Sequence, residues 1–268
     1  MARPLVDGLG GLAVDSFRPQ DLVTYRDLLI ERGLARTQIN KQVQGIRRIF
    51  KHGVFEGTVP AGILEALRTV RPLQKGRTQA RETEPVRPID EEKVFAVLPQ
   101  LSQTVAAMVL LQWHTGMRPG EVVQMRGKDL DRSGSVWFYR PPRHKTQHYG
   151  HERIVRLGKN AQEILQPLLP DDPTQPVFHP VTSPEDKNPV GATYTTQSYG
   201  RAVRRACLRA GIEPWSLNRL RHSAATRITH EFGIELARVI LGHRSISTTQ
   251  LYAELDHEKA NEVMEKFG

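Results

Sequence analysis

The sequence predicts a mainly α-helical protein with one small antiparallel sheet, an α+β fold divided into a helical first domain and a larger second domain. Three observations carry this. Apolar residues recur at helical spacing over most of the chain, and two short strand-like runs, SVWFYR (135–140) and ERIVRLG (152–158), flank one polar loop. A proline-flanked polar stretch, PLQKGRTQARETEPVRP, interrupts the pattern near residue 80. At 268 residues the chain also exceeds the size at which a single core is commonly divided.

In the first domain, residues 1–84, a helix starts at Arg18, with Leu22, Tyr25, Leu28 and Leu29 at helical spacing before Gly33 ends it. Thr37 is expected to cap a second helix with an apolar stripe of Val43, Ile46, Ile49, Phe50 and Val54. Lys41, Arg47, Arg48 and Lys51 lie mostly off that stripe and give the helix a basic face. A third helical segment covers residues 63–70, and the polar stretch that follows offers almost nothing to bury, which places the boundary there. In the second domain, residues 85–268, Asp90 opens a helix through Val97. An apolar helix from Thr104 to about His114 stops at Gly116, and Pro119 starts another. The two strand-like runs form a hairpin, and helices are expected over 161–169, 198–211, 217–232, 235–241 and 247–255.

Lys and Arg total 38 against 29 Asp and Glu, a formal charge of +9 and a sequence pI near 9.9. The excess is shared: residues 1–84 hold 14 basic against 9 acidic side chains, and the remainder 24 against 20. Such a balance favours a polyanion, nucleic acid or a membrane surface, and charge alone does not choose between them. The longest purely apolar run, residues 105–111, is far short of the roughly 20 residues that a membrane-spanning helix needs. A lone cysteine, Cys207, excludes an intramolecular disulfide. The first residues lack the basic start, apolar stretch and cleavage site of an export signal, so the chain is expected to be cytoplasmic.

Four segments concentrate chemistry. In HTGMRPGEVVQM (114–125) Arg118 emerges at a helix start with Glu121 in its first turn, a position suited to an anion. In PPRHKTQHYGHERIVRL (141–157) Lys145 stands near the hairpin tip among Arg143, His144 and Arg153, where a lysine can reach a phosphodiester and donate a proton. In SLNRLRHSAATRI (216–228) Asn218 and Arg221 are three apart and share a helix face, and Leu217, Leu220, Ala224 and Ile228 bury the other. In LGHRSISTTQLYAEL (241–255) His243 follows a helix-ending glycine and Tyr252 lies nine residues on. His144, His148 and His151 lack supporting carboxylates and read as surface residues, so no metal site is expected.

In this order, TGMRPGE, the hairpin Lys-Thr, NRLRHSAAT, LGH and the tyrosine nine residues later resemble the tyrosine recombinase (phage integrase) family. The resemblance implies a helical core-binding domain followed by a catalytic domain, and it removes a membrane surface as partner. It implies that Tyr252 is the nucleophile on a DNA phosphate, leaving a 3'-phosphotyrosine and a free 5'-hydroxyl. Arg118 and Arg221 would hold the non-bridging oxygens, Lys145 would protonate the leaving oxygen, and His243 would bond the phosphate. Asn218 occupies the family's histidine position; it can hydrogen-bond but cannot take a proton, so its expected role is positioning. Glu121 is expected to orient Arg118, and His222 to pack or support.

By the same resemblance no metal, ATP or other cofactor is needed, and the partners are double-stranded DNA and further copies of the chain, as a tetramer on two DNA sites. Lys41, Arg47, Arg48, Lys51 and Arg143 are the expected DNA contacts. Ala260, Val263, Met264 and Phe267 form an apolar face on a terminal helix, expected to serve assembly. Two other outcomes stay open at this point: a catalytically idle DNA-binding or regulatory relative, and a topoisomerase-like relaxing enzyme with the same tyrosine chemistry.

Overall fold

The computed structural model describes residues 10–84, 86–143, 152–180 and 193–242, and the chain divides into two compact units, Met1–Pro85 and Val86–Gly268. In the first unit α1 (Pro19–Glu31), α2 (Arg36–Phe55) and α3 (Ala61–Arg68) surround a core that includes Leu22, Tyr25, Ile39, Phe50 and Leu67. Pro19 takes the first helical position of α1, and the Asp21 carboxylate accepts the Arg18 N–H at 2.7 Å. The chain turns out of α1 at Gly33, whose φ of +71° suits glycine.

The start of α2 differs from the expected cap at Thr37. Ala35 precedes the helix instead, held extended by a bridge to Arg81, while Gln38 Oε1 accepts the Ala35 N–H at 3.2 Å. The polar stretch after α3, expected to bury almost nothing, supplies this support. Leu73 exchanges two hydrogen bonds with the Asn40 side chain, at 2.8 and 3.0 Å, Ala80 is buried, and Glu82 pairs with Arg36. The buried stripe of α2 is Ile39, Val43, Ile46 and Phe50, the i, i+4, i+7, i+11 row, which leaves Ile49 64 % exposed and Val54 only partly covered.

The second unit comprises α4 (Glu91–Val97), α5 (Gln103–Thr115), α6 (Pro119–Val123), β1 (Leu130–Asp131), β2 (Trp137–Tyr139), β3 (Val155–Leu157), α7 (Lys159–Leu165), α8 (Thr196–Arg209), α9 (Asn218–Phe232) and α10 (Ile234–Leu241). Asp90 precedes α4 as expected. Helix α5 is central, buried on nearly every side, and α7, α8 and α9 pack against it. Its one buried amide, Gln112, is satisfied twice: Nε2 donates to the Leu217 carbonyl at 2.9 Å and Oε1 accepts from the Tyr199 hydroxyl at 3.2 Å. That pins the start of α9 to the core.

The three strands form one antiparallel sheet in the order β1-β2-β3, with Leu130 opposite Tyr139 and Trp137 opposite Leu157. The expected hairpin is β2 and β3; β1, two residues long, shows no periodicity in the sequence and was not expected. The buried Tyr139 hydroxyl donates to the Glu121 carbonyl at 2.8 Å, which ties the sheet to α6. The expected helices at 161–169, 198–211, 217–232 and 235–241 are α7 to α10; α7 starts two residues early and ends in a 3-10 turn, Gln166–Leu168, containing Pro167. The helix expected over 247–255 and the terminal helix lie outside the described residues. Among the described residues no helix is long and apolar enough to cross a membrane.

Candidate active site

Helix α5 ends at Gly116, with φ +62°, and three residues later Pro119 begins α6. No side chain fits at Gly116: a Cβ there would lie 2.6 Å from Leu241 Cδ2 and 3.0 Å from Ala224 Cβ. The turn is therefore pressed against α9 and α10, and Arg118 leaves it at the start of α6. Glu121 is 2 % exposed and folds back on Arg118: Oε2 accepts the Arg118 backbone N–H at 2.8 Å and Oε1 accepts Arg118 Nη1 at 2.9 Å. The expected pairing is thus present, and it leaves the rest of the half-buried Arg118 guanidinium unengaged by Glu121.

A second arginine shares that carboxylate. Arg153, just before β3, directs Nε to Glu121 Oε1 at 3.3 Å and Nη2 to Oε2 at 3.4 Å. Its Nη1 donates to the Ile154 and Ile240 carbonyls at 3.1 and 3.0 Å. Burial raises the Glu121 carboxyl, but the charge of Arg153, the Arg118 N–H and the charge of Arg118 outweigh it and hold the group below its ordinary value. Arg153 was expected only as a cation near the hairpin tip. Extending the strand alternation back from Leu157 and Val155 places it on the buried face, a signal present in the sequence.

Arg221 lies in the first turn of α9 and is 5 % exposed. Nη1 donates to the Gly116 carbonyl and Nη2 to the Leu241 carbonyl, both at 2.7 Å. It therefore links the turn that carries Arg118 to the end of α10, where Gly242 turns the chain with φ +65°. A Cβ at Gly242 would meet Arg153 Nη1 at 2.7 Å, so this glycine lets the buried guanidinium lie against the backbone. Arg153 and Arg221 thus both donate to the last carbonyls of α10, which also suits the negative end of the helix.

Asn218, the first residue of α9, is exposed on an open cleft of about 440 Å³ shared with Pro119, Arg204 and Trp215. On one helix face, the Asn218 side chain ends up exposed and the Arg221 side chain buried. His222 is half-buried, and burial followed by the charges of Arg221 and Arg219 lowers its pKa below the usual histidine value. Arg219 faces away from the site and donates to the Arg87 and Pro88 carbonyls at 2.9 Å each. Lys145, His243 and Tyr252 lie outside the described residues, as do His144, His148 and His151.

Of the expected DNA contacts, Lys41, Arg48, Lys51 and Arg143 are exposed, and the Arg143 carbonyl accepts from Gln124 Nε2 at 2.7 Å. Arg47 differs. Its Nη2 donates to the Val70 carbonyl just past α3, its Nε is buried without a partner, and burial lowers its pKa. Position 47 is adjacent to the buried Ile46, so its side chain is drawn into the helix junction rather than outward.

Comparison with known proteins matches the same region. The profile of the phage integrase family matches residues 87–259. The tyrosine recombinase XerC of Pediococcus pentosaceus is 27% identical over 265 residues, covering 96% of this chain and 83% of the relative. The tyrosine recombinase XerA of Thermococcus kodakarensis is 24% identical over 241 residues, covering 89% and 78%. Among solved structures, the Tn1549 transposon integrase in complex with transposon right end DNA superimposes with a TM-score of 0.73 at 18% identity, over 98% of this chain and 90% of that one. A lambda integrase dimer bound to a COC' core site gives 0.71 at 14% identity, over 94% and 85%. With the family profile spanning Arg118, Glu121, Arg153, Arg221 and the tyrosine-bearing segment, the chain belongs to the phage integrase family.

Proposed function

We propose that the protein is a site-specific DNA recombinase that cuts and rejoins DNA strands through a 3'-phosphotyrosine. The observation that carries this reading is the pair of arginines set on two facing turns, Arg118 steadied by Glu121 and Arg221 steadied by the Gly116 and Leu241 carbonyls. A guanidinium presents a rigid fork of donors that fits phosphate oxygens and stays charged as negative charge builds in the transition state. Tyr252 attacks the scissile phosphorus as its phenolic proton passes to solvent, a new phenolic O–P bond forms, and the bond to the 5'-oxygen breaks. Lys145 gives that oxygen its proton, and His243 bonds the phosphate. Attack by the free 5'-hydroxyl of a partner strand reverses the step, and because the phosphotyrosine keeps the energy of the ester, no ATP is consumed.

Asn218 is assigned a positioning role beside the phosphate, since an amide donates a hydrogen bond but takes no proton. Residues 1–84 are assigned to core-site binding and 85–268 to catalysis, with Lys41, Arg48, Lys51 and Arg143 on the phosphate backbone and Arg47 supporting α3. The active assembly is a tetramer on two DNA sites; a lambda integrase tetramer bound to a Holliday junction matches this chain with a TM-score of 0.70. The test is covalent trapping on nicked duplexes tiled across the DNA that flanks the coding region. A protein–DNA adduct on one of them, abolished by Tyr252→Phe, is expected; no adduct on any duplex overturns the reading in favour of a binder. Exchange between two duplexes, rather than relaxation alone, separates a recombinase from a topoisomerase.

A further inference from the structure

Among the described residues the buried charged side chains are Glu121, Arg153 and Arg221, and two of the three form a pair that no motif of the site explains. The Glu121 carboxylate receives four donors: the Arg118 N–H and Arg153 Nη2 on Oε2, and Arg118 Nη1 and Arg153 Nε on Oε1. One arginine would satisfy an ordinary surface carboxylate. A carboxylate facing Arg118 alone would cancel the charge of that arginine, and the cancellation would be strongest here, where water is excluded. With Arg153 present the three groups sum to one positive charge, and Arg153 is the more buried cation, so the surplus is presented by the more exposed Arg118.

Resting on the recombinase reading above, we propose that Arg153 is a positioning residue: it balances Glu121, so that Glu121 aims Arg118 without quenching the charge Arg118 brings to the phosphate. The rest of its geometry fits that task. The remaining Arg153 nitrogen is held by the Ile154 and Ile240 carbonyls, and Gly242 gives its guanidinium room, so the fork cannot swing toward the phosphate itself. A lysine, with one point of attachment, would carry the charge without the two-pronged hold on the carboxylate.

A merely structural role and a balancing role part company in a double variant. Adduct formation is measured at saturating DNA on the duplex that traps the wild-type protein, alongside DNA affinity and thermal melting. R153M, which leaves Glu121 unbalanced, is expected to slow cleavage about 100-fold, the scale of losing one transition-state donor, with affinity within about threefold of wild type. Adding E121Q removes the unbalanced charge, and R153M/E121Q is expected to cleave at least about tenfold faster than R153M. A double variant no faster than R153M overturns the proposal, as does a folded R153M that cleaves at the wild-type rate.

Should R153M not fold, R153K carries the test. It keeps the charge that balances Glu121, so it is expected to cleave within about tenfold of wild type, and a larger loss in folded R153K overturns the proposal. Failure of the wild-type protein to form any adduct defeats the recombinase reading itself. A wild-type adduct with no recovery in the double variant defeats only the role of Arg153.

Discussion

In the unit of α1 to α3 the cations Lys41, Arg48 and Lys51 stand in solvent, whereas in the second unit Glu121, Arg153 and Arg221 are each at most 5 % exposed. The difference is one of accounting between water and protein. An exposed ammonium keeps its hydration and adds a small, screened attraction, so several act together and none is indispensable. A buried guanidinium has given up water for a few fixed acceptors, and its orientation is set by them. The first arrangement suits holding a long anion anywhere along its length; the second suits holding one phosphate in one place.

The sharpest way to break the comparison is to treat a buried arginine as if it were a surface one. Arg221→Lys keeps the charge but cannot reach Gly116, Leu241 and a phosphate at once, so adduct formation on a suicide duplex is expected to fall by about 1000-fold or more, while DNA affinity measured by anisotropy changes little. Next in size is Gly116→Ala. A methyl there meets Leu241 and Ala224 at a backbone angle that L-residues avoid, and urea denaturation should show a loss of about 2–4 kcal/mol.

The exposed cations should behave in the opposite manner. Lys41→Ala, Arg48→Ala and Lys51→Ala are each expected to weaken DNA binding only a few-fold and to lower the slope of log K against log salt by roughly one, a change read from titrations at several salt concentrations. A large loss from any one of them would erase the contrast. The smallest expected effect is on pH dependence. The folded-state pKa of His222 lies below the unfolded 6.5, so its contribution to stability is present above pH 6.5 and is lost as pH falls from there through the lower folded-state value. Melting scans should show Tm falling as pH is lowered below about 6.5, and His222→Gln should reduce that fall.

The helices were legible in the sequence because each buries a stripe, and a stripe of Leu22, Tyr25 and Leu29 or of Val43, Ile46 and Phe50 repeats along the chain itself. Local chemistry also marked Pro119 and Gly116 as a helix start and stop. What could not be read depends on partners distant in sequence. Ala35 starts α2 because Arg81 holds it, which made Thr37 look like the cap; Ile49 lost its place in the core to Ile39, a choice made by packing. In the site, Arg118 and Glu121 are three residues apart and their pairing was apparent. Arg153 meets Glu121 from 32 positions away, and Arg221 is held by backbone carbonyls, which have no sequence signature.

The end of α10 has one more consequence. Because Arg153 and Arg221 fasten the carbonyls of Ile240 and Leu241, the end of α10 holds one register against the Gly116 turn and the approach to β3, and a residue inserted just ahead of Gly242 would pull both carbonyls away from their guanidiniums.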